Sequence, residues 1–325
     1  MKYGLGIETT AHTFGIGIVD QNGKVLANEK HSYTTEEKGM IPRLVAEHHI
    51  EVCDELLLKA LSKANLKFKD LSFVAVSYGP GIGSVLRIGM IIAKLICLRH
   101  KIPLVLVNHC VAHLEVGKLT TNAKDPVLLY VSGANTQVIA YEADAYRVFG
   151  ETLDMGVGNF IDSFARYLGL GFPGGPKIEQ LAKKSDKFIE LPYTVKGMDI
   201  SLGGLLTNLK QKYQQGISQE SLAFSLQETV FAMLLEISER AMAHCGKTEL
   251  LLGGGVACNK RLQAMAKQMC IDNGYTFYCP ENQFLVDNAA MIAWNGMIKY
   301  LNKDFVQLDD ISKVDVQPYI RTDRE

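Results

Sequence analysis

The chain opens on an apolar run, Tyr3–Glu8, then a polar turn, Thr9-Thr10-Ala11-His12-Thr13, then a second apolar run, Phe14–Val19. Short runs of this kind bounded by turn residues predict strands. Asp20-Gln21-Asn22-Gly23 supplies a hairpin turn, its Asn-Gly suited to positive φ, and Lys24–Asn28 reads as a third strand. The period then changes. From Pro42 onward Leu44, Val45, Val52, Leu56, Leu57 and Leu61 keep helical spacing, with the proline near the first turn, where its missing N–H is no loss. A strand at Leu71–Val76, a glycine loop at Gly79–Gly83, a helix from about Ser84 to Arg99 and a strand at 104–107 follow.

A second pass of similar grammar begins near Pro126. Strands are expected at Val127–Val131, Gln137–Tyr141 and Tyr146–Gly150, with the small polar turn Ser132–Thr136 between the first two. Helices are expected at about 159–168, 178–185 and 218–245. A strand at Glu249–Leu252, a helix from Asn259, a short strand at Thr276–Tyr278 and a last helix from about Asp287 complete the pattern. Two halves that each open strand, Thr/Ser/Gly turn, strand predict a duplicated α/β unit. The pattern fits a two-lobed fold with its active site in the cleft between lobes. The lobes are expected at 1–120 and 121–325, with the C-terminal helix packing back on the first.

Composition narrows the function classes. With 47% hydrophobic residues in 325, two cores are affordable. Lys+Arg 34 against Asp+Glu 35 leaves a net charge of -1, so no global field advertises nucleic acid. An RNA partner would need a local basic patch, such as Lys183-Lys184-Lys187 or Lys210-Lys212, or help from other subunits. Seven cysteines, odd in number and never spaced as C-x-x-C, argue for a reducing compartment and against a disulfide framework or a Cys-type zinc site. The N-terminus enters a strand at once, and no apolar run approaches a membrane span. The expectation is a soluble, cytoplasmic protein.

The richest chemistry lies in Asn108-His109-Cys110-Val111-Ala112-His113-Leu114-Glu115, directly after a β-branched run. A strand handing over to a helix here puts His109 and His113 on one helix face, where both imidazoles can reach one metal ion. They sit at the carboxyl end of an expected parallel strand, where open α/β sheets bind ligands, so a cleft-surface position is expected. Phe284-Leu285-Val286-Asp287-Asn288 places an acid where an apolar stretch becomes a helix: Asp287 is either the N-cap or a third ligand. Two histidines and one carboxylate suit Fe(II), and zinc can occupy the same set.

Four turns follow strands: Glu8-Thr9-Thr10, Gly79–Ser84, Ser132-Gly133-Ala134-Asn135-Thr136 and Gly253–Asn259. Glycine lets backbone N–H groups approach a phosphate, and four such turns in an alternating chain point to a nucleotide. None is a P-loop, since no Gly-Lys-Ser/Thr closes them. In Phe172-Pro173-Gly174-Gly175-Pro176-Lys177-Ile178-Glu179, two prolines bracket two glycines in a rigid loop, and Glu179 is expected in the first turn of the next helix.

Together, Ile7–Thr13, Gly79-Pro80-Gly81, Asn108–His113, Tyr130-Val131-Ser132-Gly133, Pro173–Lys177, Gly254–Asn259 and Asp287-Asn288 resemble the TsaD/OSGEP family, and within it the archaeal and eukaryotic branch that is the catalytic subunit of the KEOPS complex. The resemblance runs from residue 3 to Arg321-Thr322-Asp323. It implies a duplicated two-lobe α/β fold of the actin/Hsp70/sugar-kinase (ASKHA) type. It implies transfer of the threonylcarbamoyl group of threonylcarbamoyl-AMP to the adenosine 3′ of the anticodon in tRNAs reading codons that begin with A. Partners implied are tRNA, a KEOPS-type kinase subunit and a small dimerisation subunit, with no membrane. By the same resemblance His109, His113, Tyr130 and Asp287 match metal ligands, Fe(II) before zinc. Tyr130, Val131, Ser132, Gly133, Ala134, Asp162, Gly175, Glu179 and Asn259 match positions that bind ATP or the adenylate, and Asp162 and Glu179 are the candidate catalytic acids. Thr9, Ala134 and Ala289 stand where the family usually has glycine.

Three other functions compete. A zinc protease of the His-Glu-x-x-His kind is excluded by Cys110, which stands where its base would be. A small-molecule kinase or ATPase on the same fold would hold magnesium through carboxylates and water, leaving both histidines unexplained. A non-catalytic scaffold paralogue predicts lost ligands, whereas all four are present.

Overall fold

The computed structural model describes residues 1–35 and 40–324. The first stretch runs β1 (Tyr3–Glu8), β2 (Thr13–Asp20), β3 (Val25–Ser32), α1 (Pro42–Ala64), β4 (Phe73–Gly79), α2 (Gly83–His100), β5 (Leu104–Asn108) and α3 (His109–Thr120). The second runs β6 (Val127–Val131), β7 (Thr136–Glu142), β8 (Ala145–Glu151), α4 (Val157–Tyr167), α5 (Gly175–Ala182), β9 (Val195–Lys196), β10 (Asp199–Ile200), α6 (Gly203–Gln214) and α7 (Gln219–Cys245). It closes with β11 (Glu249–Gly253), α8 (Lys260–Asn273), β12 (Thr276–Tyr278), α9 (Asn282–Leu285) and α10 (Ala289–Leu301). Two compact units result, Met1–Thr120 with Asp287–Glu325, and Thr121–Val286.

In the first unit the sheet order is β3-β2-β1-β4-β5, with β1–β2 and β2–β3 antiparallel and β1–β4 and β4–β5 parallel. Strand alternation divides its two faces. Leu5, Ile7, Ile16 and Ile18 share a core with Leu56 and Leu61 of α1 and Leu86 and Met90 of α2. The other face carries Gly6 opposite Gly17 and Glu8 opposite Gly15. A Cβ on Gly6 would lie 2.3 Å from the Ala293 nitrogen, and one on Gly17 would lie 2.4 Å from the Ala289 carbonyl carbon. These glycines are a groove for the backbone of α10. The Ala289 methyl is accommodated because Gly15 has no side chain to meet it.

The groove matters because it brings the chain from Asp287 onward back to the first unit, beside α3. The helix is capped by Asn288, whose Oδ1 accepts the Met291 N–H at 3.1 Å. Asp287 is therefore not the cap.

On the outer side of this sheet three imidazoles line up. His31 Nδ1 is 2.6 Å from His48 Nε2, and His48 Nδ1 is 3.1 Å from His49 Nδ1. His49 is fully buried, with its ring edge-on to Phe14. Burial first, then the charges of His48 and His12, push its imidazole down to about 4, against partial opposition from the Ala11 and Thr13 backbones. The sign follows from proton counting: between pH 6.5 and about 4 the unfolded imidazole holds a proton that the folded one does not. Stability contributed by neutral His49 is thus complete above pH 6.5 and lost as pH falls toward 4. We expect about 3 kcal/mol to disappear across that window. Urea titrations of wild type and His49→Gln at each pH check this; equal pH slopes for the two proteins would contradict it.

The second unit repeats the plan. Its sheet order is β12-β11-β6-β7-β8, with β6–β7 and β7–β8 antiparallel and β6–β11 and β11–β12 parallel. Each unit thus sets a first strand between an antiparallel pair on one side and a parallel pair on the other, the duplication expected from the two openings. Val127, Leu129 and Val131 share a core with Leu226, Val230 and Leu234 of α7. That helix starts at Ser218, whose side chain accepts the Ser221 N–H, and stops at Gly246 with φ +66°.

Helix α6 is the one long element the pattern missed. Its Gly203-Gly204 start is poor in helix propensity. The structure supplies the missing cap from elsewhere in the chain: the Asp154 carboxylate accepts the Leu202 N–H at 2.9 Å and the Gly203 N–H at 2.7 Å. Leu205 and Leu209 then bury one face.

Candidate functional site

The first unit gathers three donors. Strand β5 ends at Asn108, whose Oδ1 accepts the N–H groups of Cys110 at 2.9 Å and Val111 at 3.4 Å. This local cap starts α3 at His109 and puts His113 one turn on, with the rings 4.8 Å apart between centroids. Because Asn288 caps α10, the carboxylate of Asp287 turns to the histidines: Oδ1 lies 3.3 Å from His109 Nε2 and 3.6 Å from His113 Nε2. All three ligand atoms lie within 4.8 Å of one another. Among the described residues this is the one such group. The imidazoles are buried, at 4% and 2% exposure, and do not line an open surface as expected.

Burial alone would raise the Asp287 carboxyl, but hydrogen bonds and charge from His109 and His113 outweigh it and hold it well below the usual carboxylate range. Burial lowers the His113 imidazole, and the hydrogen bond to Asp287 only partly opposes this.

One further residue belongs here. Glu8, fully buried at the end of β1, places Oε2 3.0 Å from His109 Nδ1. Its Oε1 accepts the Thr10 N–H at 2.7 Å and the Thr10 hydroxyl at 2.5 Å. The sequence marked Glu8-Thr9-Thr10 as a ligand-type turn without giving Glu8 a task. An acid on the strand face that also carries Gly6 was the available signal, since a wholly buried acid needs a partner.

The donor set fits a transition-metal ion. Ligand atoms about 2.0–2.1 Å from one tetrahedral ion lie about 3.3 Å from each other. The two carboxylate–imidazole separations, 3.3 and 3.6 Å, are close to that spacing, and all three atoms lie within 4.8 Å of one another. Two imidazole nitrogens and one carboxylate oxygen suit Fe(II) or zinc and are a poor match for magnesium.

The second unit strings together the other expected positions. Tyr130 and Val131 end β6 and are buried, and Ser132-Gly133-Ala134 follow. The N-terminus of α4 docks on that turn, with Gly158 N–H donating to the Ser132 carbonyl at 3.0 Å and Asn159 N–H to the Gly133 carbonyl at 2.9 Å. One turn along α4, Asp162 Oδ1 accepts the Gly174 N–H at 2.7 Å and so anchors the Pro-Gly-Gly-Pro loop. Helix α5 begins at Gly175, which places Glu179 beyond its first turn; the dipole argument does not apply to it. Glu179 Oε1 instead meets Lys183 Nζ at 3.1 Å and accepts the Lys260 N–H at 3.3 Å. Asn259, the cap of α8, accepts the Arg261 N–H at 2.8 Å and donates to Gln227 Oε1 at 2.6 Å.

The glycines in this chain of contacts divide into two kinds. Gly254 has φ +89°, and a Cβ there would lie 2.3 Å from the Val131 oxygen, so the fold itself requires it. Gly175 and Gly255 have no protein atom within 4 Å of a built Cβ and no left-handed φ. The fold does not explain their lack of a side chain; a closely bound ligand would.

The family model for tRNA N6-adenosine threonylcarbamoyltransferase, TsaD, matches residues 24–294. The chain belongs to the TsaD family. The TsaD relative of Thermococcus sibiricus, named tRNA N6-adenosine threonylcarbamoyltransferase, is 54% identical over 294 residues, 90% of each chain. A relative from Methanocaldococcus jannaschii is named a probable bifunctional tRNA threonylcarbamoyladenosine biosynthesis protein. It is 49% identical over 319 residues, which are 98% of this chain and 59% of that one. Among solved structures, T. kodakarensis HypF matches with a TM-score of 0.66 at 15% identity, covering 95% of this chain and 49% of that one. That likeness shows the fold alone. The family and the fold are those the motifs led us to expect.

Proposed function

We propose that this chain transfers the threonylcarbamoyl group of threonylcarbamoyl-AMP to the exocyclic amine of the adenosine 3′ of the anticodon, at position 37, in tRNAs reading codons that begin with A. The observation that carries the reading is its identity, along nearly the whole chain, to proteins named for that transfer. The His-His-Asp group supports it, because a small-molecule kinase on this fold has no use for two imidazoles.

In this reading His109, His113, Tyr130 and Asp287 hold the ion, Fe(II) in preference to zinc. When bound, it supplies Lewis-acid polarisation and orientation of phosphate oxygens. The backbone amides of Gly133 and Ala134 face the phosphate or acyl end and offset developing negative charge, while the Ser132 N–H closes the turn on the Asn135 carbonyl at 2.9 Å. Gly175 and Asn259 border the adenosine. Asp162 and Glu179, the acids proposed for proton transfer, are held in place by the N–H groups of Gly174 and Lys260.

Partners follow from charge and from one exposed stripe. With a net charge of -1 the chain lacks the cation excess that drives backbone affinity for RNA. On α2, Ile91, Leu95 and Leu98 are exposed at helical spacing, and Ile50 and Leu58 are exposed on α1. We propose these helices as the docking face for the small dimerisation subunit of a KEOPS-type complex, with a kinase subunit also joining. Among the described residues no helix is long and apolar enough to cross a membrane.

The test combines purified chain, partner subunits, tRNA, threonylcarbamoyl-AMP and Fe(II), with the modified nucleoside read by mass spectrometry. Product is expected, and its absence with active partners and metal-loaded protein would refute the reading. Leu95→Glu with Leu98→Glu should weaken dimerisation-subunit binding about tenfold or more, as losing two buried anchors predicts, while leaving metal content unchanged. The isolated chain should bind tRNA weakly and the assembled complex tightly. Tight, salt-sensitive binding by the chain alone would contradict the partner proposal.

A further inference from the structure

We propose that Glu8 is the positioning residue of the metal centre: held by Thr10, its carboxylate binds His109 at Nδ1 and fixes the ring with Nε2 turned toward Asp287. This rests on the reading of His109, His113 and Asp287 as metal ligands.

The geometry leads there step by step. Glu8 sits fully buried at the end of β1, on the face against which α10 packs. A buried carboxylate needs donors around it. The turn after β1 provides them within two residues, the Thr10 N–H at 2.7 Å and the Thr10 hydroxyl at 2.5 Å, both on Oε1. Oε2 is thereby aimed at His109 Nδ1, 3.0 Å away.

Thr10 Oγ1 also lies 3.3 Å from His109 Nδ1. A threonine hydroxyl has one proton, and here it points to Glu8, so toward the ring the oxygen can only accept. Both groups at Nδ1 are acceptors, and the ring carries its proton there. Nε2 is thereby turned to Asp287 Oδ1, 3.3 Å away, where a bound ion would take the place of a proton between them. The anionic Glu8 behind Nδ1 also makes Nε2 a stronger donor to metal, as carboxylates behind ligating histidines generally do.

Glu8→Gln tests this because an amide has one accepting end. Whichever way it turns, either the two Thr10 donors or the His109 N–H meets another donor, or the ring takes the wrong tautomer. Dissociation constants for Co²⁺ and Zn²⁺, measured by chelator competition, should rise about 10–100-fold in Glu8→Gln and by a smaller factor in Thr10→Val. Thermal unfolding of each variant shows whether it is folded. Long-range ¹⁵N–¹H spectra of the metal-free wild type should show His109 protonated at Nδ1, a readout that needs no variant to fold. Folded variants with wild-type affinity, or a wild-type His109 protonated at Nε2 alone, would overturn the proposal. If wild type binds these ions no better than His109→Ala/His113→Ala, the ligand reading itself fails and this proposal falls with it. Normal wild-type affinity with an unaffected Glu8→Gln removes the Glu8 role alone.

Discussion

Alanine at both His109 and His113 should take bound transition metal from about one ion per chain to background, since the pair supplies both imidazole donors. Elemental analysis of purified wild type and variant reads this directly; equal metal content would refute the site. Threonylcarbamoyl transfer should fall to background in the same variant, and stripping wild type with a chelator should match it until Fe(II) or zinc is returned. Because the rings are buried, the substitutions also remove packing, and a cost on the order of 2–4 kcal/mol is expected. A folded core with a lower thermal midpoint is thus part of the expected result. Metal content must be compared at a temperature where both proteins are folded. Asp287→Asn should weaken binding and leave more packing intact, because it keeps the shape and removes the charge.

The second large effect separates two glycines that look alike in sequence. Gly254→Ala forces a Cβ into a position 2.3 Å from the Val131 oxygen at φ +89°. Two independent penalties apply, a left-handed backbone with a side chain and a clash with rigid backbone, and together they should cost roughly 2–4 kcal/mol. Gly175→Leu places a Cβ with no protein atom beyond its chain neighbours within 4 Å, and has ordinary φ. Its stability should change by no more than about 0.5 kcal/mol. If an adenine nucleotide lies against this loop, the added side chain occupies its space, and ATP or adenylate affinity should drop about tenfold or more, a loss of at least about 1.4 kcal/mol. Calorimetry on both variants decides it. Unchanged nucleotide affinity in Gly175→Leu would remove the nucleotide from the Pro-Gly-Gly-Pro loop, whatever Gly254→Ala does to the fold.

Much of the fold was legible in linear order because its determinants are local. The β-branched runs, the Asn-Gly hairpin, Pro42 at the start of α1 and the shift from period two to helical period mark elements without reference to distant residues. His109 and His113 share a helix face through spacing alone, and the Asn108 cap that starts this helix is the residue just before it. The duplicated opening of strand, turn, strand was likewise visible, and it became two sheets of the same order. Helix α6 was not legible, because its cap is Asp154, far back in the chain.

The site itself needed the tertiary structure. Position 287 joins positions 109 and 113 only because Gly6, Gly15 and Gly17 leave β1 and β2 bare enough for α10 to lie on their backbone. Nothing near Asp287 in sequence states that, and an aspartate before a helix reads equally well as a cap. The choice fell to Asn288, which took the cap and left the acid for the imidazoles. Glu8 was hidden for the same reason. Its partner lies 101 positions away, and only strand pairing and the packing of α3 bring the two within 3.0 Å. Residue types and local spacing determined which elements form and which side chains carry chemistry. Which of those side chains meet depended on close backbone approach between elements distant in sequence, a property of packed surfaces that no single segment encodes.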